Sequence, residues 1–140
     1  MNDFNCIIES YPNENSINFI KDELNKYNQM FAEPDNHKLL AVFLKDEAGK
    51  IKGGITGGTY WDWLYIDSLW IEELIRHKGY GKKLLEVAEK EAKKRGCNNA
   101  HLDTHDFQAV NFYQKNGYEI CGQLDDLPVG YKRYLLKKKL

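Results

Sequence analysis

The stretch that decides the fold is a hexapeptide with two glycines, Arg76-His77-Lys78-Gly79-Tyr80-Gly81. It follows a mostly apolar and aromatic run, Leu64 to Ile71, which is typical of a buried strand. Apolar or small residues recur at helical spacing after it, at Gly81, Leu84, Leu85, Ala88 and Ala92. The hexapeptide is therefore predicted to be a turn between a strand and a helix.

A turn of this kind favours the binding of an anion. The first N–H groups of a helix have no intrahelical acceptor, and the helix dipole is positive at that end. Gly79 and Gly81 allow a ligand to approach the backbone closely. Five basic residues add positive charge, namely Arg76, His77, Lys78, Lys82 and Lys83. We expect a ligand with several negative charges, such as a polyphosphate.

The spacing of the glycines excludes the two common nucleotide-binding loops. A Walker loop requires Gly-x4-Gly-Lys-Ser/Thr and a Rossmann turn requires Gly-x-Gly-x-x-Gly, whereas Gly81 is followed by Lys82 and Lys83. What remains is Arg-x-x-Gly-x-Gly after an apolar strand that ends in Leu69-Trp70-Ile71. This pattern resembles motif A of the GNAT acyl-CoA N-acyltransferases.

A second stretch, residues 107–118, resembles motif B of the same family, Ala-x-x-x-Tyr-x-x-x-Gly-Phe/Tyr. The matching residues are Ala109, Tyr113, Gly117 and Tyr118. The resemblance covers roughly residues 39–136. It implies an α/β (α+β) fold: a GNAT-like mixed, mostly antiparallel central sheet flanked by helices, with a βαβ crossover that carries the coenzyme A loop.

Periodicity and turn residues predict the individual elements. Near the N-terminus we expect a strand over Phe4 to Glu9 and a helix whose apolar residues run from Ile17 to Phe31, capped by Asn13 or Asn15. Further strands are predicted over residues 39–45, 51–60, 63–71, 99–105, 118–124 and 131–138, with a helix over 79–95. The strand over 99–105 is predicted to run parallel to that over 63–71, with the cleft opening there.

The strand over 51–60 contains a second group of glycines, Gly53, Gly54, Gly57 and Gly58. Their spacing fits no phosphate-binding motif. Glycine within a strand more often marks a bulge or the close approach of another backbone, and we prefer that interpretation.

The bulk composition indicates one globular domain over residues 1–140. A net charge of −1 gives no general attraction to nucleic acid. No apolar run approaches the ~18 residues of a membrane span, and the N-terminus lacks the basic start of a signal peptide, so we expect a cytoplasmic protein without membrane association. The three cysteines lack Cys-x-x-Cys spacing and are predicted to be reduced, small buried side chains.

The resemblance also implies a co-substrate and roles for individual residues. Acetyl-CoA would place its pyrophosphate on the loop from Arg76 to Gly81 and on Lys82, and its pantetheine arm along Leu69-Trp70-Ile71. The N–H of Leu69 would hold the oxyanion. Tyr113 would protonate the departing thiolate, since a phenol with a pKa near ~10 is protonated at neutral pH.

The base that removes the proton of the incoming amine is harder to assign. Asp67 is the best candidate, because a period of two puts Asp67, Leu69 and Ile71 on one strand face and apolar neighbours would raise the pKa of its carboxyl. A chain of water molecules is the alternative. The wall of the acceptor pocket is expected from three aromatic residues, Tyr60, Trp61 and Trp63.

Two further groups of residues need an interpretation. His101, Asp103 and His105 alternate along one strand face, but strand geometry alone produces this alternation, and we expect no metal.

Asp106 stands where the family often has asparagine. An aspartate cannot donate a hydrogen bond to the cofactor, so we predict that Asp106 caps the helix that ends near Asn116-Gly117.

The function that follows is an N-acetyltransferase that moves an acetyl group from acetyl-CoA to a primary amine by direct attack through a tetrahedral intermediate. The acceptor is a small-molecule or peptide amine: polyamine, aminoglycoside, amino acid and peptide all remain open. The alternative is a non-catalytic acyl-CoA-binding sensor or interaction module, and a scaffold without cofactor is a third option. The chain is expected to be a monomer or a homodimer.

Overall fold

The structure is a computed structural model that describes residues 3–140. The chain divides into two compact units, one ending at Pro34 and the other spanning Asp35–Leu140. The prediction of one domain over residues 1–140 stays a prediction.

The first unit contains one helix, α1 (Glu14–Asn28). Its N-cap is Asn13, whose side-chain oxygen accepts a hydrogen bond from the N–H of Asn15 at 2.8 Å, as predicted. The predicted strand over residues 4–9 is wrong, because these residues form no strand. An alternating pattern makes a strand only where another strand supplies hydrogen-bond partners.

The second unit is built on a six-stranded sheet. Its elements are β1 (Lys38–Lys45), β2 (Ile51–Tyr60), β3 (Trp63–Ile71), α2 (Tyr80–Lys94), β4 (Asn99–His105), α3 (Val110–Lys115), β5 (Glu119–Asp125) and β6 (Lys132–Lys139). The strand order is β1-β2-β3-β4-β6-β5, and β3 and β4 are parallel while the other neighbours are antiparallel. This is the mixed, mostly antiparallel sheet that the resemblance implies. The helical crossover from β3 to β4 is α2.

One face of the sheet forms the core of this unit. Side chains alternate along each strand, so Ile55, Leu64 and Leu102 point to the same side. The apolar stripe of α2 packs against them with Leu84, Leu85, Ala88 and Ala92. The opposite side, here called the second face, carries Leu39, Phe43, Tyr60, Trp63, Tyr65, Trp70, His101, Leu124 and Leu135.

A bulge interrupts the pairing of β2 with β3. Thr56 pairs with Ser68 and Gly57 with Ile66, so Asp67 is an extra residue in β3. A Cβ atom on Gly57 would lie 2.0 Å from the carbonyl oxygen of Tyr65. Only glycine fits at position 57, which confirms that the glycines of β2 serve a close approach of two backbones.

The parallel pair of β3 and β4 is short. Its register joins Trp63–Ile66 to Asn99–Leu102, and the two strands separate beyond those residues. Asp67 to Ile71 on one strand and Asp103 to His105 on the other therefore border an opening, where the crossover topology predicted a cleft.

Two smaller predictions are wrong. Asp106 does not cap α3, which has Ala109 at its N-cap; a carboxylate oxygen of Asp106 instead accepts a hydrogen bond from the N–H of Lys132 at 3.0 Å. Among the cysteines, Cys97 is buried but Cys6 and Cys121 are exposed, because residues 4–9 join no sheet and Cys121 lies at a register shift in β5.

Within residues 3–140 no helix is both long enough and apolar enough to cross a membrane.

Candidate active site

A cleft of about 780 Å³ lies between the diverging ends of β3 and β4 and extends to the start of α2. Most of the site residues predicted from the sequence line this cleft: Asp67, Leu69, Trp70, Ile71, Arg76, His77, Gly79, Tyr80, Gly81, Lys82 and Tyr113. Lys78 is exposed and lies outside the lining of this cleft, as does Lys83. The structure thus brings Tyr113 of the second motif close to the first motif, which ends 32 positions earlier at Gly81.

The loop end of the cleft is shaped by the backbone. Gly79 is the N-cap of α2 and has a φ of 86°, a left-handed conformation that glycine adopts without strain. The N-terminal N–H groups of α2 follow directly at Tyr80 and Gly81. A Cβ on Gly81 would lie 3.3 Å from the ring of Phe112, so α3 approaches the helix start closely here.

The side chain of Arg76 is folded back onto the preceding strand. Its Nε donates a hydrogen bond to the carbonyl oxygen of Ile71 at 2.7 Å. The guanidinium therefore ties the loop to the end of β3 while its positive charge stays beside the cleft. Lys82 lies in the first turn of α2, with its Nζ 3.8 Å from Glu86, one helical turn further on.

Tyr113 is a buried polar residue of the cleft. It is 5% exposed, and its ring meets those of Phe112 and Tyr118 edge to face. Burial raises the pKa of Tyr113 to about 12, because the phenolate is poorly solvated there. The hydroxyl is therefore in its proton-donating form at any physiological pH.

Asp67 lines the same cleft but in different surroundings from those expected. The bulge at Asp67 breaks the alternation between Ile66 and Ser68, and the carboxylate is exposed. The expectation of a carboxyl among apolar neighbours is wrong, because Asp67 is exposed. A period of two holds only while the strand register is regular.

The other wall of the cleft comes from the end of β4 and the segment before α3, which the sequence analysis did not assign to the site. Gln108 connects the two: its Oε1 accepts hydrogen bonds from the N–H of His105 at 2.9 Å and from the hydroxyl of Thr104 at 3.2 Å. Asp103 also lines the cleft and forms an ion pair with Arg133. These residues could have been assigned to the site from the predicted parallel pairing of β3 and β4, because that pairing places the two strand ends side by side.

The three alternating residues of β4 each contact a different neighbour. His101 Nε2 lies 3.3 Å from the hydroxyl of Tyr60, Asp103 pairs with Arg133, and His105 Nδ1 lies 3.0 Å from Gln108 Oε1. Within the described part of the chain, no group of three or more His, Cys, Asp and Glu residues is arranged to hold a metal ion.

The three aromatic residues expected to wall the acceptor pocket line a different cavity from the cleft between β3 and β4. Tyr60, Trp61 and Trp63 line a separate cavity of about 500 Å³ with His101 and Leu135 of the second face. Burial lowers the pKa of His101, and the charge of Asp103 partly offsets this effect. The aromatic group is therefore not part of the cleft between β3 and β4.

His37 precedes β1 and is exposed. It nevertheless has a partner, because its Nε2 lies 2.6 Å from the hydroxyl of Tyr65. Burial raises the pKa of Tyr65, and the charges of Asp67 and Tyr60 add to the shift. The hydroxyl of Tyr65 therefore stays protonated at neutral pH, within hydrogen-bonding distance of the ring of His37.

The mixed α/β fold with a cleft between β3 and β4 is that of an acyltransferase. The chain belongs to the acetyltransferase (GNAT) family, whose sequence model matches residues 4–118. It is therefore an acetyltransferase, a member of a family that uses acetyl-CoA.

Two curated relatives and one crystal structure support this conclusion. The chain is 36% identical over 104 residues to blasticidin-S acetyltransferase from Streptomyces morookaense, covering 74% of this chain and 76% of the relative. It is 32% identical over 136 residues to acetyltransferase Atu2258 from Agrobacterium fabrum strain C58, covering 96% and 98%. The crystal structure of an acetyltransferase from Bacillus cereus ATCC 14579 superimposes with a TM-score of 0.88 at 36% identity, covering 96% and 98% of the two chains.

Proposed function

We propose that this protein transfers the acetyl group of acetyl-CoA to a primary amine of a small molecule in the cytoplasm. The observation that carries the proposal is that one cleft contains both an anion-binding helix start at Gly79 to Gly81 and a buried, protonated phenol at Tyr113. The first feature suits a polyphosphate, and the second suits a leaving group that needs a proton.

Donor binding in this proposal uses backbone groups at two places. The N–H groups at the start of α2 and the positive charges of Arg76 and Lys82 would hold the pyrophosphate of coenzyme A. The edge of β3 that faces the cleft, from Leu69 to Ile71, is no longer paired with β4. It therefore suits the amide groups of a pantetheine arm, which would extend the sheet like a short additional strand.

The thioester supplies an activated carbonyl carbon, to which the amine nitrogen adds to form a tetrahedral intermediate. The carbon–sulfur bond breaks when this intermediate collapses to the amide. In this proposal the N–H of Leu69 stabilises the negative charge on the carbonyl oxygen. Asp67, directly or through water, accepts the proton that the amine loses. Tyr113 gives its proton to the thiolate sulfur, so that charge and protons balance over the reaction.

An amine acceptor fits the charge of the acceptor side. The two exposed carboxylates of the cleft, Asp67 and Asp103, attract an ammonium group, although the ion pair with Arg133 weakens the contribution of Asp103. The relative named blasticidin-S acetyltransferase is named for a small-molecule substrate. We therefore place small cationic antibiotics and polyamines ahead of peptide amines.

The test is a thiol-release assay with acetyl-CoA and a panel of amines that includes blasticidin S, spermidine, an aminoglycoside, free amino acids and a short peptide. We expect thiol release that depends on one class of small amine, together with a product that is heavier by one acetyl group in mass spectrometry. Gly81→Asp, in which a carboxylate meets the phosphates, serves as the control with impaired donor binding.

The result that contradicts the proposal is equally concrete. If coenzyme A binds in calorimetry but no amine of the panel accelerates thiol release above hydrolysis, the protein is an acyl-CoA-binding module. If only the peptide is acetylated, the reaction type holds and the assignment of a small-molecule acceptor is wrong.

A further inference from the structure

The second face of the sheet carries many exposed apolar side chains. Within residues 35–140 both helices contribute to the core on the opposite face, through Leu85 of α2 and Tyr113 of α3. The exposed large side chains of the second face are Leu39, Phe43, Trp70, Leu124 and Leu135, with exposed fractions from 40% to 74%. The aromatic cavity lined by Tyr60, Trp61 and Trp63 opens on the same face. A surface of this kind marks an interaction site.

The first unit has the complementary feature, an amphipathic helix with an exposed apolar stripe. The stripe repeats every three or four residues at Ile17, Ile20, Leu24 and Tyr27, and Phe31 in the turn after α1 continues it. None of the residues of α1 is buried, and Leu24 in the middle of the stripe is 55% exposed. A helix of this length gains most of its stability from packing its apolar side, so the exposed stripe of α1 needs a partner surface.

Size and charge make the two features fit each other. A helix of 15 residues is about 22 Å long. Six strands span about 24 Å from the first to the last, so one helix can lie across the whole second face. Residues 1–34 carry six acidic and two basic residues, a net charge of −4, whereas the chain as a whole carries −1, which leaves +3 for residues 35–140. Opposite net charges favour their association.

We propose that this protein forms a symmetric homodimer in which α1 of each copy packs its apolar stripe on the second face of the other copy. Both halves of the contact are present in one chain, so a two-fold axis satisfies both at once. Residues 4–8, which expose Phe4, Ile7 and Ile8, extend the apolar surface of the exchanged segment.

The area available is sufficient for a stable dimer. Five stripe residues and five residues of the second face, each about half exposed, have roughly 50 Å² apiece left to bury. Two symmetric contacts therefore remove about 1,000 Å² from water before residues 4–8 and the backbone are counted, and specific interfaces begin near ~1,200 Å².

The experiment measures molar mass by size-exclusion chromatography with light scattering at micromolar concentration, with folding checked by circular dichroism. The unsubstituted chain should have twice the 16.4 kDa of one copy. Leu24→Lys puts a charge into the contact from the helix side, and Leu135→Lys does so from the sheet side. Each should weaken dimerisation by at least about 100-fold, since a buried unpaired charge is strongly unfavourable. Asn18→Lys adds the same charge away from the stripe and should leave the mass unchanged.

Mixing the two lysine variants identifies the arrangement. A dimer of one Leu24→Lys chain and one Leu135→Lys chain restores one of the two contacts, because an intact helix then meets an intact sheet face. We expect the mixture to form dimers of intermediate affinity while each variant alone is a monomer. A monomeric parent chain would overturn the proposal. So would a dimer that resists Leu135→Lys, since that result indicates a helix-to-helix contact, or a mixture that stays monomeric.

Discussion

The two ends of the cleft are built in different ways. The loop end depends on backbone conformation, with a left-handed Gly79 followed at once by the start of α2. The opposite end depends on two side chains from distant elements, Asp67 at a strand bulge and Tyr113 in a short helix. In our account the first end binds the donor and the second end carries out the reaction. Substitutions at one end should therefore change affinity, and substitutions at the other should change turnover.

The largest effect is expected at the loop end. Gly81→Asp places a carboxylate at the start of α2 beside the phosphates, and at an effective dielectric constant near 20 this repulsion weakens coenzyme A binding by roughly 10²- to 10³-fold. Titration calorimetry measures the change. Gly81→Ala is the matched control, since it adds only a Cβ 3.3 Å from the ring of Phe112 and should cost less than about tenfold.

Unchanged affinity of a folded Gly81→Asp variant would end the assignment of the loop. An equal loss of coenzyme A affinity in Gly81→Asp and Gly81→Ala would show that the added side-chain volume, and not its charge, weakens binding.

The second-largest effect is expected at the end of the cleft that contains Tyr113, and it concerns turnover instead of coenzyme A affinity. Tyr113→Phe removes one hydroxyl and keeps the packed ring, so kcat should fall about 10²-fold while the Kd of coenzyme A stays unchanged. Tyr118→Phe is the matched control. That phenol is equally buried, but it donates its hydrogen bond to Glu89 at 3.3 Å, so its loss should lower Tm and spare kcat.

A thioester donor whose thiol has a lower pKa needs less help in leaving, and the defect of Tyr113→Phe should shrink with it. If Tyr113→Phe turns over both donors at the parent rate, Tyr113 is a packing residue and the division between the two ends is wrong.

A smaller effect is expected for Asp67→Asn. Because Asp67 is exposed and water can accept the proton in its place, we expect kcat/KM to fall about tenfold, with a weaker acidic limb in its pH profile. Initial rates across a range of pH measure both. Asp103→Asn tests the second carboxylate of the cleft, and a larger loss there would transfer the role of base from Asp67 to Asp103.

The smallest effect concerns the alkaline side of the pH profile. The pKa of Tyr113 is raised from 10.0 to about 12, so the proton-donating form stays dominant up to about that pH. With saturating substrates, kcat should show no decline up to about pH 10 that depends on this residue. A descending limb near pH 10 that is absent in Tyr113→Phe would mean that the phenol titrates at its ordinary value.

Local sequence patterns were sufficient for much of the fold and for the loop end. The bounds of β2, β3 and β4 agree with the alternation and turn residues of residues 51–60, 63–71 and 99–105. The turn at Gly79 also follows from local spacing, because its conformation is set by neighbouring residues and not by distant ones. Tyr113 was found through the resemblance and not through periodicity.

The predictions that are wrong all depend on pairing between distant segments. Asp67 is exposed at a bulge in the pairing of β3 with β2, opposite Thr56 and Gly57. Residues 4–9 have the pattern of a strand but no strand beside them, and Asp106 bonds to Lys132 of β6 in place of α3. None of these contacts leaves a periodic signal in the sequence.

The most direct test of the account is an NMR titration of the chain with coenzyme A and, separately, with pantetheine. Our account predicts that the backbone amide signals of Gly79, Tyr80 and Gly81 shift with coenzyme A, since the pyrophosphate accepts their hydrogen bonds. Pantetheine lacks the phosphates and should shift signals of Leu69 to Ile71 while moving those of the loop little. If the loop amides stay in place while coenzyme A binds, or move equally with both ligands, the loop does not hold the pyrophosphate.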